Sequence, residues 1–327
     1  MGNSRKWILQ IAFATLGVLP SGAALSQTDV YPSKPVRVII PFGAAGSTNL
    51  LGRVVADFLS KDLGQAFVVL NLPGAGGSIG TTQVVRAPSD GYTLMVGTPG
   101  PMVNSPHLGS KLEYDPVKDF QAVGFLWTQP MVVLVSREAP FRTLKEFIAE
   151  AKRQPGKLFY GSSGVGSTSH LAGEIFNLVA GVKLEHVPYK DGGIKMADLK
   201  SRRTHVVFTT PVAVVTEGDM FLTLAVAAPA RSGFIPSVPT SAEAGLADFN
   251  YSSWGGLFAR TGTPTTILDK LGASVARGLK AQSTRERFLA AGVEPLASTP
   301  AELMRHVASE NNLVRKLVET TGLKVEE

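Results

Sequence analysis

The sequence predicts an α/β protein of two domains, and three observations carry that expectation. Short β-rich runs alternate with helical stretches along the chain, the pattern of α/β layers. A unit of strand, small-residue loop and helix occurs near the start and recurs in the middle. About 300 residues remain after a separable N-terminal segment, more than one hydrophobic core ordinarily organises.

The elements follow in order. Residues 36–40 (VRVII) read as a strand stopped by Pro41. After a loop, Ser47 or Thr48 is expected to cap a helix with Leu50, Leu51, Val54, Val55, Phe58 and Leu59 on one broad face, ended by Gly64. Residues 67–70 and 92–96 are strands, with a Gly-rich loop and a helix reaching Arg86 between them. Residues 131–135 (MVVLV) form a strong strand. Thr143 and Glu146 then have the spacing of a capping box, in which each side chain satisfies a free helix N–H.

That helix should end before Pro155-Gly156. Residues 158–160 are a strand, followed by a Gly/Ser loop and a helix carrying Leu171, Ile175, Leu178 and Val179. Residues 206–209 and 222–226 continue the second sheet, and Thr240 with Glu243 repeats the capping box. Residues 251–259 are a late strand with few charges. Thr263-Pro264 and Thr299-Pro300 start the C-terminal helices, the latter with Glu302 at the box position. If residues 131–135 and 253–259 are the crossings, one domain is 131–253 and the other combines 27–130 with 254–327. Two crossings make a hinge, which suits a closing cleft.

The first 26 residues read as an export signal. Arg5 and Lys6 precede an apolar run at 7–19, Pro20 breaks it, and small residues at 22–26 suit cleavage after Ser26. The run is short for a membrane span, which takes about 20 apolar residues. The chain has no Cys, which excludes a cysteine-linked lipid anchor, disulfides, thiolate catalysis and Cys-ligated zinc. The formal charge is +6; two of those charges fall in the signal, leaving +4. That favours anionic ligands at long range but falls short of a nucleic-acid footprint. Lys200, Arg202 and Arg203 lack interleaved aromatics and read as a solvated turn.

Motifs for other chemistries fail on spacing. The loop at 74–80 (GAGGSIG) is GxGxxxG, off the dinucleotide pattern, and the loop at 161–168 lacks the lysine of a phosphate loop. The loop at 161–164 (GSSG) misses the spacing of a GxSxG elbow. His170 and Glu174 stand four apart on a helix, but two ligands do not make a metal site. No metal and no cofactor is therefore expected. What remains are two strand-to-helix loops, 42–49 and 161–170, rich in Gly, Ser, Thr and Asn. Such loops present free N–H groups and a favourable dipole to an anion. They read equally as ordinary short turns.

A set of ordered segments identifies a resemblance. They are YPSKPVRVIIPF at 31–42, NLPGAGGSIG at 71–80, DGYTL at 90–94, YDPVKDF at 114–120, YGSSGVGS at 160–167, HVPYK at 186–190, VPTSAEAG at 238–245, WGGL at 254–257 and TGTP at 261–264. From about Tyr31 onward the chain resembles the Bug family, periplasmic substrate-binding receptors of tripartite tricarboxylate transporters.

The resemblance implies a two-domain Venus-flytrap fold, each domain a mixed sheet flanked by helices, and no catalysis. It implies a small carboxylate held between the two loops, partly through water, with delivery to membrane permease subunits. By position it carries over Phe42, Gly46, Ser47 and Asn49 from the first loop, and Ser162, Ser163, Ser167 and His170 from the second. Thr98, Asn104 and Asp191 are further candidates. A monomer free in the periplasm is expected. A sensory receptor with the same fold, or an exported hydrolase using Ser163 and His170, are the competing classes. Two departures stand out. The family's first loop usually runs Pro-Pro-Gly-Gly with an Asp three further on; here it is Gly43-Ala44-Ala45-Gly46 with Asn49. His205 stands where an Asp is common, beside the expected distal pocket.

Overall fold

The structure, a computed structural model, describes residues 31–108 and 111–322. The expected export signal, 1–26, lies outside them.

Strand β1 (Val36–Ile40) is flanked in parallel by β2 (Phe67–Asn71) and β3 (Thr93–Gly97). β1 is buried at four of its five positions, as a central parallel strand covered on both faces should be. Helices α1 (Ser47–Leu63) and α2 (Ser78–Val85) connect these strands, and a π turn at Gly100–Asn104 follows β3. Then comes β4 (Phe120–Ser136), seventeen residues long. The second series is α3 (Leu144–Arg153), β5 (Phe159–Ser162), α4 (Thr168–Ala180), β6 (Glu185–Pro188), α5 (Gly192–Lys200), β7 (Val206–Thr209), α6 (Pro211–Glu217) and β8 (Phe221–Ala227). The chain returns through β9 (Ser252–Arg260) and closes with α7 (Thr265–Lys280), α8 (Gln282–Ala290) and α9 (Pro300–Thr321).

These nine strands join in the order β2–β1–β3–β9–β4–β7–β5–β6, with β8 also on β4. The first part of β4, from Phe120 to Pro130, runs antiparallel to β9. From Met131 to Ser136 it pairs instead with β8, and Val132 to Leu134 also pair with β7. The change of partners falls at Pro130, which has no N–H to offer a ladder. One half therefore gathers β1–β3, β9 and the start of β4. The other gathers β5–β8 and the end of β4.

Period-two alternation sorts the core onto the two faces of each half. Val36, Val38 and Ile40 pack with α1 and α7 residues such as Leu51, Val55 and Leu271, while Ile39, Met95 and Phe258 pack with Leu303 and Val307 of α9. In the other half Met131, Val133 and Val135 join Phe147 of α3 and Phe176 of α4. Leu134 on the opposite face meets Leu199 of α5.

The caps expected at Thr143/Glu146 and Thr299/Glu302 form as reciprocal boxes. Thr240/Glu243 makes the same reciprocal bonds, but around a turn rather than a helix. Two expectations need correction. Neither Ser47 nor Thr48 caps α1: Gly46 is the N-cap and offers no side chain. Likewise α7 starts on Pro264 with no side-chain cap. Gly64 does end α1, in a left-handed conformation at φ 71°.

Gly255, opposite Trp127 in the β4–β9 ladder, is needed for space: a Cβ there would lie 2.2 Å from the Trp127 ring, itself fully buried. Gly255→Ala is expected to destabilise the protein by about 1–3 kcal/mol through overpacking. Urea melts of the two proteins check it, and equal midpoints would show that Trp127 can yield.

Candidate functional site

A cavity of about 460 Å³ lies where the two halves meet, a size suited to a small molecule. Its wall includes the β1–α1 loop (residues 42–49), Thr98 after β3, Ser163 and residues 167–169 at the start of α4, Lys195 of α5, and residues 208–210 leading into α6. These are the carboxyl ends of parallel strands, where open α/β sheets place their ligands.

Of the residues the sequence singled out, Phe42, Gly46, Ser47, Asn49, Thr98, Ser163 and Ser167 line this cavity. Phe42 contributes apolar wall, and its carbonyl accepts from Asn71 Nδ2 at 2.9 Å. Because Gly46 cannot cap, the first-turn N–H groups of α1 lack a side-chain acceptor. Asn49 works inward: its Nδ2 donates to the Ala44 carbonyl at 2.7 Å and its Oδ1 accepts from Arg53 Nε at 3.1 Å. It braces the loop that an Asp would brace with charge. The Thr98 hydroxyl is buried with no partner.

The second loop is held from behind. Ser167 caps α4 by accepting from the His170 N–H, and shares a contact with Ser169 Oγ at 3.2 Å. The Ser163 N–H donates to Ser169 Oγ at 3.0 Å.

Ser162, His170, Asn104 and Asp191 do not line the cavity. Ser162 Oγ contacts His186 Nε2 at 2.6 Å. His170 accepts from the Gly166 N–H at 3.1 Å and stacks on His186, ring centres 4.0 Å apart. Asn104 accepts from the Tyr251 hydroxyl at 3.2 Å. Asp191 caps α5, accepting from the Gly193 and Ile194 N–H groups. These four position the walls. His205 is also remote from the cavity: its ring accepts from the Phe159 N–H at 3.0 Å and stacks on Phe159.

Three of the wall residues missed in the sequence stand out. Thr210, at the start of α6, has a buried hydroxyl without a partner. Arg53 lines the cavity one turn beyond Asn49. Lys195 is the least expected: it is only 7% exposed, and burial lowers its ammonium to about 8. Its Nζ donates to Ser163 Oγ at 3.4 Å, and it makes no ion pair with any described carboxylate. A sequence signal existed. Lys195 stands four residues before the buried Leu199, on the inward face of α5.

The halves also touch beside the cavity. A Cβ on Gly76, at φ 60°, would lie 2.0 Å from the Val165 carbonyl oxygen. A Cβ on Gly43 would lie 3.2 Å from the Lys190 carbonyl oxygen.

The model of the tripartite tricarboxylate transporter family receptor matches residues 51–323. The chain belongs to this receptor family. The receptor is 31% identical to protein BugT of Bordetella pertussis over 322 residues, covering 97% of both chains. Among solved structures it is similar to R. palustris Rpa4515 with adipate, at 34% identity and TM-score 0.85, covering 89% of this chain and 98% of that one. It is also similar to MatC of Rhodopseudomonas palustris with bound malate, at 31% identity and TM-score 0.82, covering 88% and 100%. These similarities and the layered sheets agree with the two-domain periplasmic-binding-protein fold.

Burial lowers His170 to about 3, with His186 adding repulsion, and lowers His186 to about 4. An unfolded chain protonates its histidines near 6.5. Between those values the unfolded state binds protons that the folded state refuses, so stability falls as pH drops from about 6.5 towards 4. His186→Gln should flatten that fall in urea melts at a series of pH values; an unchanged slope would assign it to other groups.

Proposed function

We propose that the protein is a periplasmic receptor that closes its two domains on a small carboxylate and delivers it to the membrane permease of a tripartite tricarboxylate transporter. The observation that carries this reading is the cavity wall. It presents hydrogen-bond donors with capacity to spare from both halves: the unpartnered hydroxyl of Thr98 and the start of α1, which has no side-chain cap, from one, and the unpartnered hydroxyl of Thr210 and the ammonium of Lys195, with one long hydrogen bond, from the other. A carboxylate supplies what they lack, several lone pairs and one negative charge. Adipate and malate, held by the two similar proteins, are small acids of this class.

In this reading residues 1–26 direct export, 131–253 form one domain, and 27–130 with 254–327 form the other. The hinge is the pair of segments where β4 changes partners at Pro130 and β9 begins. The contacts of Gly76 and Gly43 with the opposite half are then the seams that meet on closure.

The hydrolase reading now has a specific pair behind it, Ser163 Oγ beside the lowered ammonium of Lys195, since His170 is turned away from the cavity. Against it, the Ser163 N–H is committed to Ser169 Oγ and cannot serve an oxyanion.

Succinate, malate, adipate and benzoate are expected to include at least one acid that raises the melting temperature; stabilisation reaches about 2.7 kcal/mol at a hundredfold excess over Kd. A flat response to all four would remove the carboxylate reading, and turnover of their esters at Ser163 would replace it. Gly76→Ala should weaken the bound acid by about tenfold or more, because strain at this seam of about 1–3 kcal/mol opposes closure. Gly64→Ala is the control, with the same left-handed strain at φ 71° but open space around it. Equal affinities in the two variants would show that the Gly76 seam does not close on ligand.

A further inference from the structure

We propose that Lys195 pairs directly with the ligand's carboxylate, so that the receptor selects the ionised acid over an uncharged isostere of the same shape. The proposal deepens the carboxylate reading and rests on it.

Lys195 is placed, not loosely attached. Its stem passes over Gly161, where a Cβ would lie 3.1 Å from Lys195 Cγ and 3.2 Å from Tyr189 Cε2. The glycine leaves the room that the stem fills. The head reaches the cavity with one long hydrogen bond, 3.4 Å to Ser163 Oγ, although an ammonium carries three donors.

Two of the acids near it are committed elsewhere. On its own helix, Asp191 Oδ1 accepts two backbone N–H groups, and Asp198 takes Arg203 at 3.1 Å and the Tyr189 hydroxyl at 2.7 Å. From other elements, Arg53, Lys190 and Glu217 line the same cavity. Glu217, at the end of α6, makes no ion pair with any described residue, and three cations stand against this single acid on the wall. His186, in contact with Ser162, stays neutral through burial.

A buried ammonium with no ion-pair partner is costly unless an opposite charge joins it. A carboxylate entering the cavity supplies that charge, and an amide of equal shape does not. Discrimination then comes from the pair rather than from fit. The same contact ties binding to a proton. Unliganded Lys195 titrates near 8, whereas a carboxylate beside it keeps it protonated to higher pH.

Isothermal titration of the full protein with succinate, malate, adipate, benzoate and their primary amides tests this. Lys195→Met keeps the stem's volume and removes the charge. It should lower the affinity of the best-bound acid by roughly a hundredfold while leaving its amide little changed. Titration of the wild type at about pH 8.5, in buffers of different ionisation enthalpy, should show net proton uptake on binding.

If Lys195→Met binds the acid as tightly as the wild type, the pairing is wrong while the carboxylate reading stands. If the wild type binds none of the eight compounds, both fall. If Lys195→Met fails to fold, proton uptake by the wild type decides: uptake supports the pair, and none overturns it.

Discussion

Strand β4 has to belong to two sheets at once, and the rest of the molecule is arranged around that demand. Its first eleven residues, Phe120 to Pro130, satisfy their backbone groups against β9, and the remaining six against β8 and β7. No loop intervenes, so the halves are joined by continuous backbone hydrogen bonding rather than by a flexible tether. The ladder holds along the strand, and the proposed hinge falls where it changes partners. Gly255 and Trp127 fill the ladder just before that point, and the Tyr251 carbonyl accepts from the Met131 N–H just beyond it. A fold joined this way can bend about one line while each half keeps its packing.

The cavity lies along that line, and its chemistry follows from what small residues permit. Gly46 in place of a capping side chain leaves the first turn of α1 open towards the cavity. At the matching position of the other half, Ser167 caps α4, and Ser163 and Ser169 bind each other. The two loops look alike in sequence yet play unequal parts: one offers backbone, the other a preset row of hydroxyls. Behind the second loop, the Ser162–His186–His170 cluster fixes its shape without lining the cavity.

Much of this was legible in the sequence because it rests on local rules. Strand and helix periodicity located most of both series, though not β6, α5, α6 or the first eleven residues of β4, and the spacing of Thr143/Glu146 and Thr299/Glu302 marked two helix starts. The loops at 42–49 and 161–170 both reach the cavity, though Ser162 and His170 face its support instead. Which way a side chain turns depends on residues distant in sequence, such as His186 for Ser162, and no local pattern encodes that. Lys195 was missed for a related reason. A lysine on a short helix between Lys190 and Lys200 looks solvated, and only its register with Leu199 says otherwise. Thr210 gave no signal, since an unpartnered hydroxyl is a property of the folded wall.

In the proposed closing cleft, the lysine and the hinge are coupled through water. With the halves apart, the Lys195 ammonium is hydrated and costs nothing. With the halves together and the cavity empty, it is held out of water with a single long hydrogen bond, which opposes closure. An anion reverses the sign, because in a water-poor cavity its attraction to the ammonium exceeds what the same pair gains in solvent. A ligand shifts an equilibrium only by its differential affinity for the two states, and here the charge provides that difference. Neutral solutes of the right size would fill the cavity yet leave the buried cation uncompensated. Closure of the proposed receptor would thus report the presence of an acid rather than the mere filling of a space.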